Sequence, residues 1–304
     1  MNVGVIGTGI MGKNHIRIYN ELKTVDTVYI YDTNEKTMQN IEDSYENVYA
    51  CKSLKALIDT TDAISICVPT KFHKNVASEI AKENYMRDIL IEKPVCSSTA
   101  DAIELMKLFP KDTNIIGIGH IERFNPIIPE LSKIIKDPLY VEFKRHNPAS
   151  SRITDTNVVQ DLMIHDIDIM RTLFCSGPTS IQSTGNDDIH TAIIMSGLTP
   201  IYLSASRKSS KKIRSIYIEM EEFTIEADYM TQEIVIYSKP DRFKIDGGRY
   251  IQENLVEKVM VKKVEPLREE LKTFVDCSKH HMPFPVSLDD GICNMIICDA
   301  ICNR

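Results

Sequence analysis

Gly7-Thr8-Gly9-Ile10-Met11-Gly12 has the spacing G-x-G-x-x-G, and Asp32 stands twenty residues beyond Gly12. The run is preceded by the apolar stretch 2–7 and followed by helical spacing from Met11 to Leu22. In a strand–turn–helix each of these residues has a task. Gly7 permits the tight turn, Gly9 lets backbone approach a pyrophosphate, and Gly12 allows close packing of helix on strand. The helix N-terminus offers free N–H groups and partial positive charge to phosphates. Asp32 would accept hydrogen bonds from ribose hydroxyls and repel a 2′-phosphate, which favours NAD over NADP. The plainer alternative is a βαβ turn with no ligand.

Two further sets of residues have chemical potential. Glu92-Lys93-Pro94 follows an apolar strand-like run, 88–92. Past the carboxyl end of a parallel strand, a lysine lies where ligands bind, near the nicotinamide end of a dinucleotide. A lysine beside a carboxylate can donate or accept a proton, and a cis Lys93–Pro94 bond is compatible with such a turn. Asp161, His165 and Asp168 are spaced i, i+4, i+7, which puts them on one helical face. A histidine flanked by carboxylates suits a general base, oriented by Asp161. Arg123, Asn125, Arg145, His146 and Arg152 are candidates for gripping a substrate diphosphate, with exposed loop charges as the alternative. No metal site is expected: Cys298 and Cys302 are spaced i, i+4 but lack supporting ligands.

These residues need elements to position them. Across the first 120 residues, short runs that are apolar throughout alternate with helical patterns. That rhythm predicts a doubly wound parallel sheet covered on both faces, an α/β Rossmann domain over 1–120. Ser53 and Ser98 are expected helix N-caps. After His120 the rhythm changes. A helix over 158–174 precedes strand-like segments at 180–185, 190–195, 201–206, 214–220, 224–227 and 233–237, then helices from Pro266 and from about Asp289. This predicts an α+β domain over 121–304 with an open-faced, mainly antiparallel sheet, serving substrate binding and oligomerisation.

The totals exclude several classes. The chain of 304 residues carries 36 Lys plus Arg against 43 Asp plus Glu, a net charge of −7. Nucleic acid is therefore not an expected partner. No apolar run reaches the roughly 18 residues needed to cross a bilayer. The N-terminus does not read as a secretory signal, so a cytoplasmic protein is expected. Its 8 cysteines include no C-x-x-C pair and read as buried free thiols. The basic run 207–212 reads as a solvated turn between strands.

Taken together, the opening VGVIGTGIMGKNHI, Asp32, Pro69-Thr70 with His73, Glu92-Lys93-Pro94, and Asp161 with His165 resemble the Gfo/Idh/MocA family of oxidoreductases. The resemblance covers nearly the whole chain. It implies NAD as cofactor, a catalytic lysine at Lys93, an Asp-x-x-x-His pair at Asp161 and His165, and cofactor contacts at Pro69, Thr70, His73 and Glu92. It also implies a homodimer or homotetramer. One departure is visible: Val158, Val159 and Gln160 stand where the family often carries glycines before the aspartate. GHIERFNP (119–126) and DLMIHDIDIM (161–170) resemble the family's UDP-N-acetylglucosamine 3-dehydrogenase branch.

The implied reaction is oxidation of a sugar secondary hydroxyl to a ketone, foremost the 3-hydroxyl of UDP-N-acetylglucosamine. Substrate contacts are expected from Arg123, Asn125, Arg152, Asp161 and His165. Either His165 or Lys93 takes the hydroxyl proton. The alternatives are an inositol, other sugar or UDP-hexuronate dehydrogenase, and a non-catalytic NAD-sensing protein.

Overall fold

The structure is a computed structural model, and it describes residues 1–82, 87–109, 114–148, 156–174, 178–240, 242–246 and 248–303. By contacts the chain forms two units: Met1–Ile121 with Glu265–Ile296, and Glu122–Val264 with Ile297–Arg304. The expectation of a second domain running unbroken from 121 to 304 therefore differs from the contacts. After residue 264 the chain returns to the first unit.

The first unit is built on strands β1 (Asn2–Ile6), β2 (Thr27–Tyr31), β3 (Val48–Ala50), β4 (Ala63–Ile66), β5 (Asp88–Glu92) and β6 (Ile116–Gly119). They form one parallel sheet in the order β3-β2-β1-β4-β5-β6, the dinucleotide-binding order. Every residue of β4 is buried, as are the last four of β1 and of β5. These strands are covered on both faces, which explains their uninterrupted apolar sequence. Helices α1 (Ile10–Glu21), α2 (Glu35–Glu42), α3 (Leu54–Thr60), α4 (His73–Lys82) and α5 (Thr99–Met106) connect them. Both expected caps form: Ser53 accepts from Ala56 N and Ser98 from Asp101 N, each at 3.1 Å. Asn34 caps α2 in the same way.

The second unit opens with α6 (Ile127–Ile134) and β7 (Tyr140–His146), then a π-helical turn (Val159–Met163) running into α7 (Ile164–Phe174). Among the described residues nine strands follow, seven in the main sheet and two in a hairpin beside it: β8 (Ser180–Gly185), β9 (Ile189–Ser196), β10 (Thr199–Ser206), β11 (Ile213–Glu219), β12 (Phe223–Asp228), β13 (Glu233–Ser238) and, after the small hairpin β14 (Arg242–Asp246) and β15 (Arg249–Glu253), β16 (Val256–Val259). The eight-stranded sheet has the order β16-β13-β12-β11-β7-β10-β9-β8. Every pairing is antiparallel except β7 with β10. Val141, Phe143, Ile194, Leu203, Ile216 and Ile225 point from it into one core with Leu131, Ile164 and Ile167. Residues 207–212 form the turn between β10 and β11, as expected.

The chain then forms α8 (Pro266–His280) and α9 (Leu288–Cys302). Gly117 of β6 bridges to Ser287, and Ser278 donates to Asp88 at 2.6 Å. A side chain on Gly117 would strike Phe284, and one on Gly291 would strike Val95 and Ile118. The returning segment is thus packed tightly against the parallel sheet.

Sequence reasoning missed α6, β7 and the last three strands. The omission of β7 matters most, because it is central in the second sheet. Its burial alternates as expected of a strand, but the third inward residue is Arg145. A charge at a core position hides the pattern unless its partners are known.

Candidate functional site

The glycine turn has the geometry a dinucleotide requires. Gly7 sits at φ +93°, where an L side chain is strained, and a Cβ there would lie 2.7 Å from the backbone of Cys67 and Val68. A Cβ on Gly12 would come within 1.8 Å of Gly7 O. A Cβ on Gly9, by contrast, would meet nothing within 4 Å. The first and third glycines are thus required by the fold itself, while the second faces open space. Gly9 is also the N-cap of α1, and no side chain caps that helix. Its first N–H groups have no side-chain cap, unlike those of α2, α3 and α5. Ile10 is 60% exposed beside them. Open space at Gly9 and an uncapped helix start fit a pyrophosphate.

Asp32 follows β2, and both its oxygens are engaged. Oδ2 accepts from Thr8 N at 2.6 Å and Thr8 Oγ1 at 2.8 Å, and Oδ1 accepts from Asn34 N at 3.0 Å. Burial works to raise its pKa, but the hydrogen bonds from Thr8 and Asn34 prevail and hold the carboxyl below its ordinary range. Asp32 therefore stays ionised at neutral pH and fixes the glycine turn. Its accepting capacity is not exhausted by these bonds, so the expected ribose contact remains open to it.

Lys93 lies in the turn after β5, half-buried, and the Lys93–Pro94 bond is cis. Beside it Glu92 is buried, with Oε1 2.8 Å from His15 Nε2. Burial works to raise the Glu92 pKa, but the bond from His15 and the charges of His15, Lys93 and His73 lower it overall. Pro69 precedes the short 3₁₀ turn Thr70–Phe72, and α4 starts at His73. His73, expected at the cofactor, has hydrogen bonds within the protein. Its ring is fully buried, with Nδ1 2.9 Å from Pro94 O and Nε2 2.8 Å from Val68 O. It clips the turn after β4 to the turn carrying Lys93.

In the second unit Asp161 lies in the π turn, and His165 and Asp168 lie in α7. The carboxylates of Asp161, Asp166 and Asp168 each meet a basic side chain from another element. Asp161 lies 3.4 Å from Arg207 at the end of β10. Asp166 accepts from Arg145 Nε at 3.0 Å and Nη2 at 2.7 Å. Asp168 accepts from Arg123, whose Nε is 2.9 Å from Oδ2 and whose Nη2 meets Oδ1. Within Asp161–Met170 only His165 is not buried. Val158 and Val159, the departure from the glycines of the family, are core residues.

Three expected substrate ligands have partners within the protein. Arg145 is fully buried between Glu122, at 2.8 Å, and Asp166, at 2.7 Å, and its guanidinium carbon lies 5.4 Å from the Tyr229 ring centroid. Burial opposes its charge, but Asp166 and Glu122 keep it firmly protonated. Asn125 is 1% exposed and donates to Tyr229 O at 3.0 Å. Arg123 is neutralised by Asp168. Burying the guanidinium charges of Arg145 and Arg123 without a fixed partner is unfavourable, and each has one inside the protein. His146 is half-buried against Ser204 Oγ, at 2.9 Å. Burial and then Lys144 lower its pKa, leaving a neutral ring that is a poor anion grip. Arg152 and Cys175 lie outside the described residues. The seven described cysteines are free, and no described helix is long and apolar enough to cross a membrane.

Comparison with known proteins agrees with this geometry. Residues 1–120 match the Gfo/Idh/MocA model, described as oxidoreductase family, NAD-binding Rossmann fold. Over 312 residues the chain is 27% identical to UDP-N-acetylglucosamine 3-dehydrogenase of Acidithiobacillus ferrooxidans, covering 100% of this chain and 93% of that one. A solved structure of that enzyme superposes with a TM-score of 0.87 at 26% identity, covering 100% and 97%. Myo-inositol 2-dehydrogenase of Thermotoga maritima is 23% identical over 319 residues, 96% of this chain and 92% of that one. Levoglucosan dehydrogenase in complex with NADH and levoglucosan shares the fold, with a TM-score of 0.82 at 18% identity over 100% and 96%. The chain is an oxidoreductase whose first 120 residues match the Gfo/Idh/MocA model of NAD-binding Rossmann domains.

Proposed function

We propose that the protein oxidises a secondary hydroxyl of a sugar to a ketone, with the 3-hydroxyl of UDP-N-acetylglucosamine as the foremost substrate. The observation that carries this reading is the likeness to UDP-N-acetylglucosamine 3-dehydrogenase through both units, over 100% of this chain. The stretches 119–126 and 161–170 support it as well. They pair with each other through Arg123–Asp168 and, by way of Arg145, Glu122–Asp166.

NAD, when bound, supplies the hydride acceptor. The turn Gly7–Gly12 with Thr8, Ile10 and Met11 would hold its pyrophosphate, and Asp32 its ribose. Pro69, Thr70 and Glu92 would serve the nicotinamide end, with His73 acting through the backbone it clips. His165, the residue of Asp161–Met170 that is not buried, takes the hydroxyl proton. Asp161, in the π turn that runs into α7, orients the imidazole and favours the imidazolium that forms. Lys93 stabilises the developing alkoxide and can exchange its proton with solvent. With Arg123, Arg145 and Asn125 engaged internally, Arg152 is the remaining expected cation for a diphosphate. The reading includes a cytoplasmic homodimer or homotetramer associated through the open face of the eight-stranded sheet, which light scattering of the purified protein tests.

The deciding experiment follows NADH absorbance with UDP-N-acetylglucosamine, its uronate and myo-inositol. Turnover with UDP-N-acetylglucosamine is expected. Turnover confined to myo-inositol or the uronate moves the substrate within the family. NAD binding with no turnover on any sugar overturns the enzymatic reading in favour of NAD sensing.

A further inference from the structure

The turn carrying Lys93 is held from below by a buried histidine that the reaction does not use. His15 lies in α1, one helical turn beyond Gly12, and is 0% exposed. Its Nε2 is 2.8 Å from Glu92 Oε1. Glu92 is held ionised by its surroundings, and an ionised carboxylate only accepts, so the proton of this bond is on His15 Nε2. The other ring nitrogen, Nδ1, has no hydrogen-bond partner among the described residues. The Glu92 bond therefore sets the orientation of the ring, helped by edge contact with Tyr19 at 6.0 Å.

The space around Glu92 is also closed. A Cβ on Gly119 of β6 would lie 3.2 Å from the Glu92 carboxyl carbon. Lys93 follows directly, and its charge acts on Glu92. We infer that His15 is a positioning residue for Lys93, acting through the Glu92 carboxylate. This inference rests on the reading of Lys93 as a proton-handling group. His15, Cys67 and Glu92 also each place one possible donor atom within 4.8 Å of the others. Nε2 of the imidazole is already committed to Glu92, and burial with the charges of Glu92 and Glu270 raises the pKa of the Cys67 thiol. The cluster therefore acts as an anchor for the turn rather than as a metal site.

The arrangement has a consequence for cofactor and lysine together. The helix that offers its N-terminus to the pyrophosphate also fixes the carboxylate next to the lysine. His73 adds a second hold from α4, against Pro94 O and Val95 O. The groups facing Glu92 are thus His15 from α1, His73 from α4, Lys93 within its own turn, and Cys67 and Tyr19, whose ionisation Glu92 opposes. Glu270 of α8 acts on Cys67 and Tyr19.

The test compares wild type with His15→Ala and His15→Gln, whose amide can still donate to Glu92. His15→Asn, with a shorter side chain that cannot reach, replaces the alanine variant should that one not fold. His15→Ala is expected to lower kcat about tenfold or more, as loss of a positioning contact does, while NAD affinity by calorimetry stays within about twofold. The acid limb of its kcat profile moves to higher pH, because Glu92 without His15 protonates more readily. Reductive methylation of Lys93, followed by mass spectrometry in NAD-free protein, becomes at least about threefold faster as the lysine is released. His15→Gln restores all three readouts toward wild type. Unchanged Lys93 methylation and an unshifted acid limb would overturn the inference, as would equal losses of kcat and NAD affinity in both variants. If the wild type turns over no sugar, the dehydrogenase reading fails, and the methylation rates alone decide the role of His15.

Discussion

The charged and polar groups around the candidate residues are held differently in the two units. In the first unit Asp32 and His73 rest largely on backbone, while Glu92 pairs with the side chain of His15. Asp32 accepts from the N–H groups of Thr8 and Asn34, and His73 lies between the carbonyls of Val68 and Pro94. In the second the partners are other side chains: Glu122 and Asp166 with Arg145, and Asp168 with Arg123. The first arrangement ties down loops at the carboxyl ends of strands, where a dinucleotide needs fixed backbone. The second fixes helix α7 against β7 and the turn at 121–124. It leaves His165 as the residue of Asp161–Met170 that is not buried. The same residue types thus mark ligand-facing loops in one unit and a structural ion network in the other.

Substitutions can break or sharpen this division. The largest effect is expected at Lys93→Ala and His165→Ala, one in each unit. Each should lower turnover by about 10²- to 10⁴-fold, with NAD affinity by calorimetry almost unchanged. Normal turnover in either would remove that residue from the mechanism. Next is Arg145→Ala, which leaves Glu122 and Asp166 buried without their cation. It should destabilise the second unit by about 3–5 kcal/mol in urea melts. A stable variant that has lost only substrate affinity would instead return Arg145 to the binding residues.

A smaller contrast lies within the glycine turn. Gly12→Ala forces a Cβ against Gly7 O and should lower stability by about 1–3 kcal/mol together with NAD affinity. Gly9→Ala meets open space. It should change stability by about 0.5 kcal/mol or less while still weakening NAD binding. Equal stability losses would contradict the distinction drawn between the two glycines. The smallest effect concerns pH. The Asp32 carboxyl is held below its ordinary range, so its stabilisation is present above the unfolded-chain pKa. It is lost as pH falls through the lower folded value. Urea midpoints of wild type and Asp32→Asn should differ at neutral pH and converge in acid. A difference independent of pH would show that the charge of Asp32 contributes nothing.

The parallel sheet was readable because its strands are covered on both faces, and residue type alone reports that. The glycine turn was readable because backbone geometry leaves so few residue choices. What escaped the sequence was pairing between distant charges. Arg145 looked like a loop cation because Glu122 and Asp166 are 23 and 21 residues away. The helical spacing read for Asp161 assumed 3.6 residues per turn, whereas Asp161 lies in a π turn at 159–163. His15 was missed although its position carried a signal. It falls three residues after Gly12, on the helix face that the glycine presses to the sheet, where an imidazole must find a buried partner.

The return of residues 265–296 to the first unit has a consequence for how the protein is made. Every glycine of the turn, Asp32 and Lys93 leave the ribosome early. The helices that cover β6 and brace Gly117, Val95 and Ile118 emerge only after the whole second unit has been synthesised. During that interval an apolar sheet edge waits without its cover, exposed to association with other chains. The cofactor half, first in the gene's reading order, is therefore the half whose completion comes late. A nascent-chain release assay should find protease resistance of the glycine turn arriving only once α8 and the start of α9 have cleared the exit tunnel.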